Sequence, residues 1–245
     1  MTVKYKDKVE YNSGFINDGI SIRNEIGFIV YQDLLFYKNE PFIIEANGSI
    51  DIYFNKTITE LQSFFSGDFD INSKIISYVD FSHFDSSLLT NMSQLFQDCI
   101  SIQEVNFTNF QTSLVTMMTQ MFSGCSQLTS LDLSTFNTSS VSNMSDMFNG
   151  CTSLEYLDIS YFDTGLLESF SNMFSGVNNI KYINLYNTKN IDALTKAISI
   201  SSNLNTKNDL TVCQNEVIVN NENALNECCD YLDYNFETLR CDPDN

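Results

Sequence analysis

The sixteen residues MFSGCSQLTSLDLSTF, Met121–Phe136, return as MFNGCTSLEYLDISYF, Met147–Phe162, at a spacing of 26 residues. The spacing extends to both sides. The strand-like triplets Val79–Phe81, Val105–Phe107, Leu131–Leu133, Leu157–Ile159 and Ile183–Leu185 follow one another at that interval without slip. A period of roughly 20–50 residues marks an array of stacked units. One unit cannot bury its apolar face alone, so neighbouring units must supply a shared core.

Read down the rows, the columns separate inside from outside. Phe84, Phe110, Phe136 and Phe162 stand three residues past their triplets and predict a buried aromatic spine. Leu89, Val115, Val141 and Leu167 follow, then Met92, Met118, Met144 and Phe170. The pairs Leu95-Phe96, Met121-Phe122, Met147-Phe148 and Met173-Phe174 complete an i, i+3, i+4 pattern that predicts a short helix in each row. Thr90, Thr116 and Ser142 are placed to cap those helices. Gly124, Gly150 and Gly176 are placed to end them at positive φ. Ile102, Leu128, Leu154 and Ile180 lead into the next strand. Each row thus reads as strand, bend, short helix and return, with strands stacked in parallel about 4.8 Å apart.

The fold class expected is α/β: a right-handed solenoid of short parallel strands and short helices, closed by a β-rich N-terminal cap and a mixed C-terminal cap. The boundaries fall at 1–49 for the first cap, 50–189 for the solenoid and 190–245 for the second cap. IDIYF, Ile50–Phe54, reads as an early row and TVC, Thr211–Cys213, as a late one. GISIR, GFIVYQ, LLFYK and PFIIEA read as strands of the first cap. NIDALTKAIS and NENALNECCDYL read as helices of the second.

Acidic residues outnumber basic ones 31 to 12, a formal charge of −19. That charge repels phosphate, which argues against nucleic acid and anionic membranes as partners. No run of about 18 apolar residues occurs, so no membrane-spanning helix is expected. The first residues, MTVKYKDKVEYN, do not read as a signal peptide. Either the protein stays inside the cell or a leader has been removed.

The run FNTSSVSNMSDMFNGCTSLEYLDIS, Phe136–Ser160, resembles the BspA-like leucine-rich-repeat family, related to repeats of mycoplasma surface lipoproteins. The resemblance covers Val79 to Leu185, over four rows, and does not reach either cap. It implies a curved solenoid in a cell-surface or secreted setting, and an adhesin or recognition module.

Seven cysteines fall in two groups. Cys99, Cys125 and Cys151 share a column that Val177 also occupies, so buried free thiols are expected there. Cys213, Cys228, Cys229 and Cys241 lie beyond the rows and read as two disulfides, which would suit an oxidising compartment. Two pairings stay open: Cys213–Cys228 with Cys229–Cys241, or Cys213–Cys229 with Cys228–Cys241. Their spacing lacks the CxxC pairs usual for zinc. Asn47, Asn55, Asn91, Asn106, Asn137 and Asn143 lie in Asn-x-Ser/Thr triplets, which an Asn- and Ser-rich repeat also generates by chance.

No catalytic constellation is legible. His83, the single histidine, shares its column with Asn109, Thr135 and Tyr161. No enzyme, metal or cofactor is expected. The candidate working surface is the outward column of the strands: Asp80, Asn106, Asp132, Asp158 and Asn184. It predicts a polar, acidic ladder that suits a protein or glycan on another cell or matrix, bound by a monomer at the cell surface or after secretion. The competing reading is a cytoplasmic protein–protein interaction scaffold with free thiols.

Overall fold

The computed structural model describes residues 2–5, 9–11, 26–31, 34–36, 42–44, 49–54, 57–66, 76–201 and 210–213. Each expected triplet lies at a strand: β7 (Ile76–Asp80), β8 (Glu104–Asn106), β9 (Ser130–Asp132), β10 (Tyr156–Asp158) and β11 (Tyr182–Asn184). The middle residue of each triplet ends its strand, and the third makes the bend. TVC forms β12 (Thr211–Cys213). All pair in parallel, in the register the repeat demands. Val79 lies opposite Val105. Leu131, Leu157, Ile183 and Val212 form a second continuous line.

The five triplets do not share one sheet. β7 and β8 belong to a six-stranded sheet, while β9 to β12 form a four-stranded one. The expected single sheet therefore fails at the boundary between β8 and β9. The cause lies in the inward column Phe81, Phe107, Leu133, Ile159, Leu185, where phenylalanine gives way to smaller side chains. Phe107 stacks flat on Phe81, at 5.5 Å and 3°. It meets Phe136 of the following row edge-on, at 5.0 Å and 80°. The ring leans across the row boundary and keeps the two strands apart. Elsewhere the bend residue donates its N–H to the next row: Phe81 to Asn106, Leu133 to Asp158, and Ile159 to Asn184. The matching bond from Phe107 to Asp132 is not made.

The rows stay stacked through a second ladder on another side of the chain. Met92 donates to Met117, Met118 to Asn143, and Met144 to Ser169, at 2.8–3.0 Å. Gln94, Gln120 and Asp146 donate likewise to Thr119, Ser145 and Ser171. This ladder replaces the short helices expected in each row. Its N–H groups go to the neighbouring row instead of four residues back. Gln94, Gln120, Asp146 and Asn172 hold φ between 54° and 60°, which no α-helix accommodates. The i, i+3, i+4 apolar spacing is real, but two tight turns produce it. Thr90, Thr116 and Ser142 are accordingly ladder residues, not caps, with N–H and hydroxyl both directed at the carbonyls of Thr59, Thr90 and Thr116. Gly124, Gly150 and Gly176 do adopt positive φ, at 77°, 74° and 74°.

The core runs the length of the rows. Phe84, Phe110, Phe136 and Phe162 are buried, as expected. A second file of rings, Phe96, Phe122, Phe148 and Phe174, stacks at 5.5–6.1 Å with planes within 18° of parallel. Such ring pairs add roughly 0.5–1.5 kcal/mol each beyond the area they bury.

β1 (Thr2–Tyr5), β3 (Ile26–Tyr31), β4 (Leu34–Phe36) and β6 (Ser49–Phe54) complete the six-stranded sheet in the order β4-β3-β6-β1-β7-β8. β2 (Val9–Tyr11) and β5 (Phe42–Ile44) pair separately. β6, expected as an early parallel row, runs antiparallel to β1 and β3, and β1 intervenes before β7. The first row contact is made instead by Leu61, Ser63 and Phe65, which donate to Asn91, Ser93 and Leu95. NIDALTKAIS forms α1 (Asp192–Ile200), which buries Leu194 and Ala197. GISIR and NENALNECCDYL lie outside the described residues. The described chain is thus an α/β repeat arrangement of short parallel strands in small sheets, with one short helix.

Candidate functional site

The outward column has a structural duty at every row. The Oδ1 atoms of Asp80, Asn106, Asp132, Asp158 and Asn184 accept the backbone N–H two residues on, at 2.8–3.0 Å. These are Asx turns, which only Asp and Asn make well. Asp85, Asn137 and Asp163 turn a second corner in the same way, and Asn91 and Asn143 a third. The preference for Asp or Asn in the strand column therefore follows from the bend. Only the second polar atom of each side chain remains for other work.

That second atom is used differently along the face. Tyr78 hydrogen-bonds the side chains of Asp80 and Asn106, and burial, with the carboxylates of Asp80 and Glu104 nearby, holds its hydroxyl above the usual pKa. Asn184 donates its amide to Asp158 Oδ2 at 2.9 Å. Asp132 is exposed.

The column was expected to be wholly solvated, and Asp158 corrects that. It is 8% exposed. Burial is the largest influence on its carboxyl and pushes the pKa above 3.8, with the charge of Asp132 one row away acting in the same direction. Ser160 and Asn184 oppose the shift by hydrogen bonding. The expected ladder is also interrupted. Asp80 faces Asn106 in one sheet, and Asp132, Asp158 and Asn184 align in the other.

At the interruption a cleft of about 280 Å³ opens between β8 and β9. Glu104 and Asp132 stand on its two walls, with Thr108, Ser130 and Thr135 beside them. Phe107 and Leu131 line it from within, both almost fully buried. Glu104 escaped the sequence reading because its column, Tyr78, Glu104, Ser130, Tyr156 and Tyr182, has no common chemistry. Also missed was a column of exposed leucines, Leu88, Leu114 and Leu166, which are 47–61% exposed and interrupted by Ser140. The period of 26 contains both signals.

Cys99, Cys125 and Cys151 are fully buried free thiols, as their column predicted. Each donates to a main-chain carbonyl, of Phe65, Phe96 and Phe122 respectively, at 2.9–3.1 Å. Burial raises all three pKa values, that of Cys151 to about 12, which leaves them unreactive. Cys213 ends β12, while Cys228, Cys229 and Cys241 lie outside the described residues, so neither expected pairing is placed. His83 is exposed and touches only the hydroxyl of its neighbour Ser82 among the side chains described. No group of three His, Cys, Asp or Glu side chains among the described residues is arranged to hold a metal ion. No helix among them is long and apolar enough to cross a membrane.

Stacked rows with a fixed interior and a changeable exterior define a tandem-repeat protein. The chain belongs to the family described as "Mycoplasma protein of unknown function, DUF285", whose model matches it twice, over residues 33–130 and 90–211. No curated protein and no solved structure matches the chain.

Proposed function

We propose that the rows form a right-handed leucine-rich-repeat solenoid of the BspA-like kind, spanning roughly the central 50–189 segment. In this reading it is a non-enzymatic recognition module at the cell surface or secreted, and it binds a protein or glycan through its strand face. The observation that carries the reading is the contrast between columns. Inward positions repeat one chemistry in every row, and the Asx-turn column is restricted to Asp and Asn. The neighbouring outward column changes freely from Tyr78 to Glu104, Ser130, Tyr156 and Tyr182. A fixed frame that carries a variable face is how repeat proteins present extended binding surfaces. Display of many copies would raise avidity without new contacts.

The test is binding of the labelled chain to a panel of cells, matrix proteins and immobilised glycans. It is repeated with Glu104→Lys/Asp132→Lys, whose native fold is first checked by thermal unfolding. Both residues are exposed, so reversal changes the face without touching the core. Capture lost in the folded variant supports the reading. Capture retained at full strength places the working surface elsewhere, with the β1–β6 region the next candidate.

A further inference from the structure

The break between β8 and β9 is the one place where the repeat withholds hydrogen bonds it makes in neighbouring rows. The amide of Phe107 and the carbonyl of Asp132, whose counterparts pair between the rows on either side, line the cleft unpaired. Unpaired backbone groups at an inner edge are unfavourable unless something else meets them. At about 280 Å³ the space falls just below the range of roughly 300–1,000 Å³ typical of small-molecule pockets, so it takes one side chain rather than a larger ligand. The wall groups are mostly acceptors. The carboxylates of Glu104 and Asp132 and the carbonyl of Asp132 all accept, and none of the lining residues is basic. Asn106 offers nothing further, because its Oδ1 takes the Thr108 amide and its side chain also bonds Tyr78. Phe107 and Leu131 provide an apolar interior suited to a methylene stem. The lining contains no exposed aromatic face on which a sugar ring could stack.

We propose that this cleft receives one cationic side chain, Arg or Lys, projected by a basic partner protein. The stem lies over Phe107 and Leu131, and the charged head lies between Glu104 and Asp132, where it donates to both carboxylates and to the Asp132 carbonyl. Charge-assisted hydrogen bonds of this kind are shorter and stronger than neutral ones, and a guanidinium fork suits them best. The proposal rests on the strand-face reading above and narrows its partner to a basic protein.

The probe is N-acetyl-arginine methylamide, with the neutral citrulline analogue as control, titrated into the full chain and followed by amide NMR. Saturable shifts centred on residues 104–108 and 130–135 are expected with the arginine probe and not with citrulline. Glu104→Gln/Asp132→Asn should weaken the arginine response about tenfold or more. The pair preserves the fold, because Asn106 and Asn184 show that Asn makes the same turn as Asp132. Equal responses to arginine and citrulline, or a variant that responds like the parent, would overturn the proposal. Shifts on the strand face but away from the cleft would overturn it and leave the recognition face standing. The absence of any shift would overturn the cleft assignment, and the panel experiment would then decide the recognition face alone.

Discussion

Asn184 donates its side-chain amide to Asp158 across adjacent rows, 26 residues apart, at 2.9 Å. That contact allows a carboxylate to sit at 8% exposure in a column whose other acidic members, Asp80 and Asp132, are more open. Replacement of Asn184 by Asp removes the donor and sets a second charge against a buried one. It should cost about 1–3 kcal/mol at neutral pH. Urea midpoints should show the deficit at pH 7 and recover much of it in acid, where the carboxyls are protonated.

The carboxyl of Asp158 titrates above 3.8 in the folded chain. The native state therefore holds this proton longer than the unfolded state does. Stability from this group is fully present below 3.8 and is lost as the pH rises through the folded value. A carboxyl-carbon NMR titration should place the Asp158 midpoint above 3.8. Asp132→Asn should lower that midpoint, because it removes the neighbouring charge and keeps the turn.

Phe110→Ala and Phe136→Ala should each cost about 3–5 kcal/mol in chemical denaturation. Both rings are at most 3% exposed and stack on each other at 5.9 Å. An unchanged midpoint in either variant would mean that the aromatic file is not core.

Cys125→Val should cost under about 1.5 kcal/mol, as volume-conserving exchanges do. Val177 already occupies the same column one row beyond Cys151, fully buried. Native-state alkylation followed by peptide mapping should leave Cys99, Cys125 and Cys151 unmodified until denaturant is added. The same map without reductant should find Cys213, Cys228, Cys229 and Cys241 joined as two disulfides. Seven free thiols would favour the intracellular scaffold.

The period carried most of what could be read in advance. It located every strand from β7 to β12, the register between neighbours, and which residues of each row point inward. It misassigned the local shape of Met92–Phe96 and its counterparts. Apolar spacing alone does not distinguish an α-turn from two tight turns, and only the positive φ of Gln94, Gln120, Asp146 and Asn172 decides between them. It also treated the five strand-face residues as equivalent, although the second polar atom is spent in some rows and open at Asp132. The cleft was invisible because it arises from the tilt of one ring, Phe107, against Phe136. A single-row reading has no access to that angle between rows.

Everything above depends on rows of 26 residues that stack in register. Excision of Leu133–Asp158, one complete row, splices Asp132 to Ile159 and returns every column to its place. Excision of the 13 residues Leu133–Ser145 removes half a row and throws every later column out of register. Equilibrium urea unfolding of the two shortened chains tests the register directly. The stacked-row account predicts one cooperative transition, with a slightly smaller urea dependence, for the whole-row excision, and loss of cooperative folding for the half-row excision. Two shortened chains that unfold alike, whether both cooperatively or both without a transition, would contradict it.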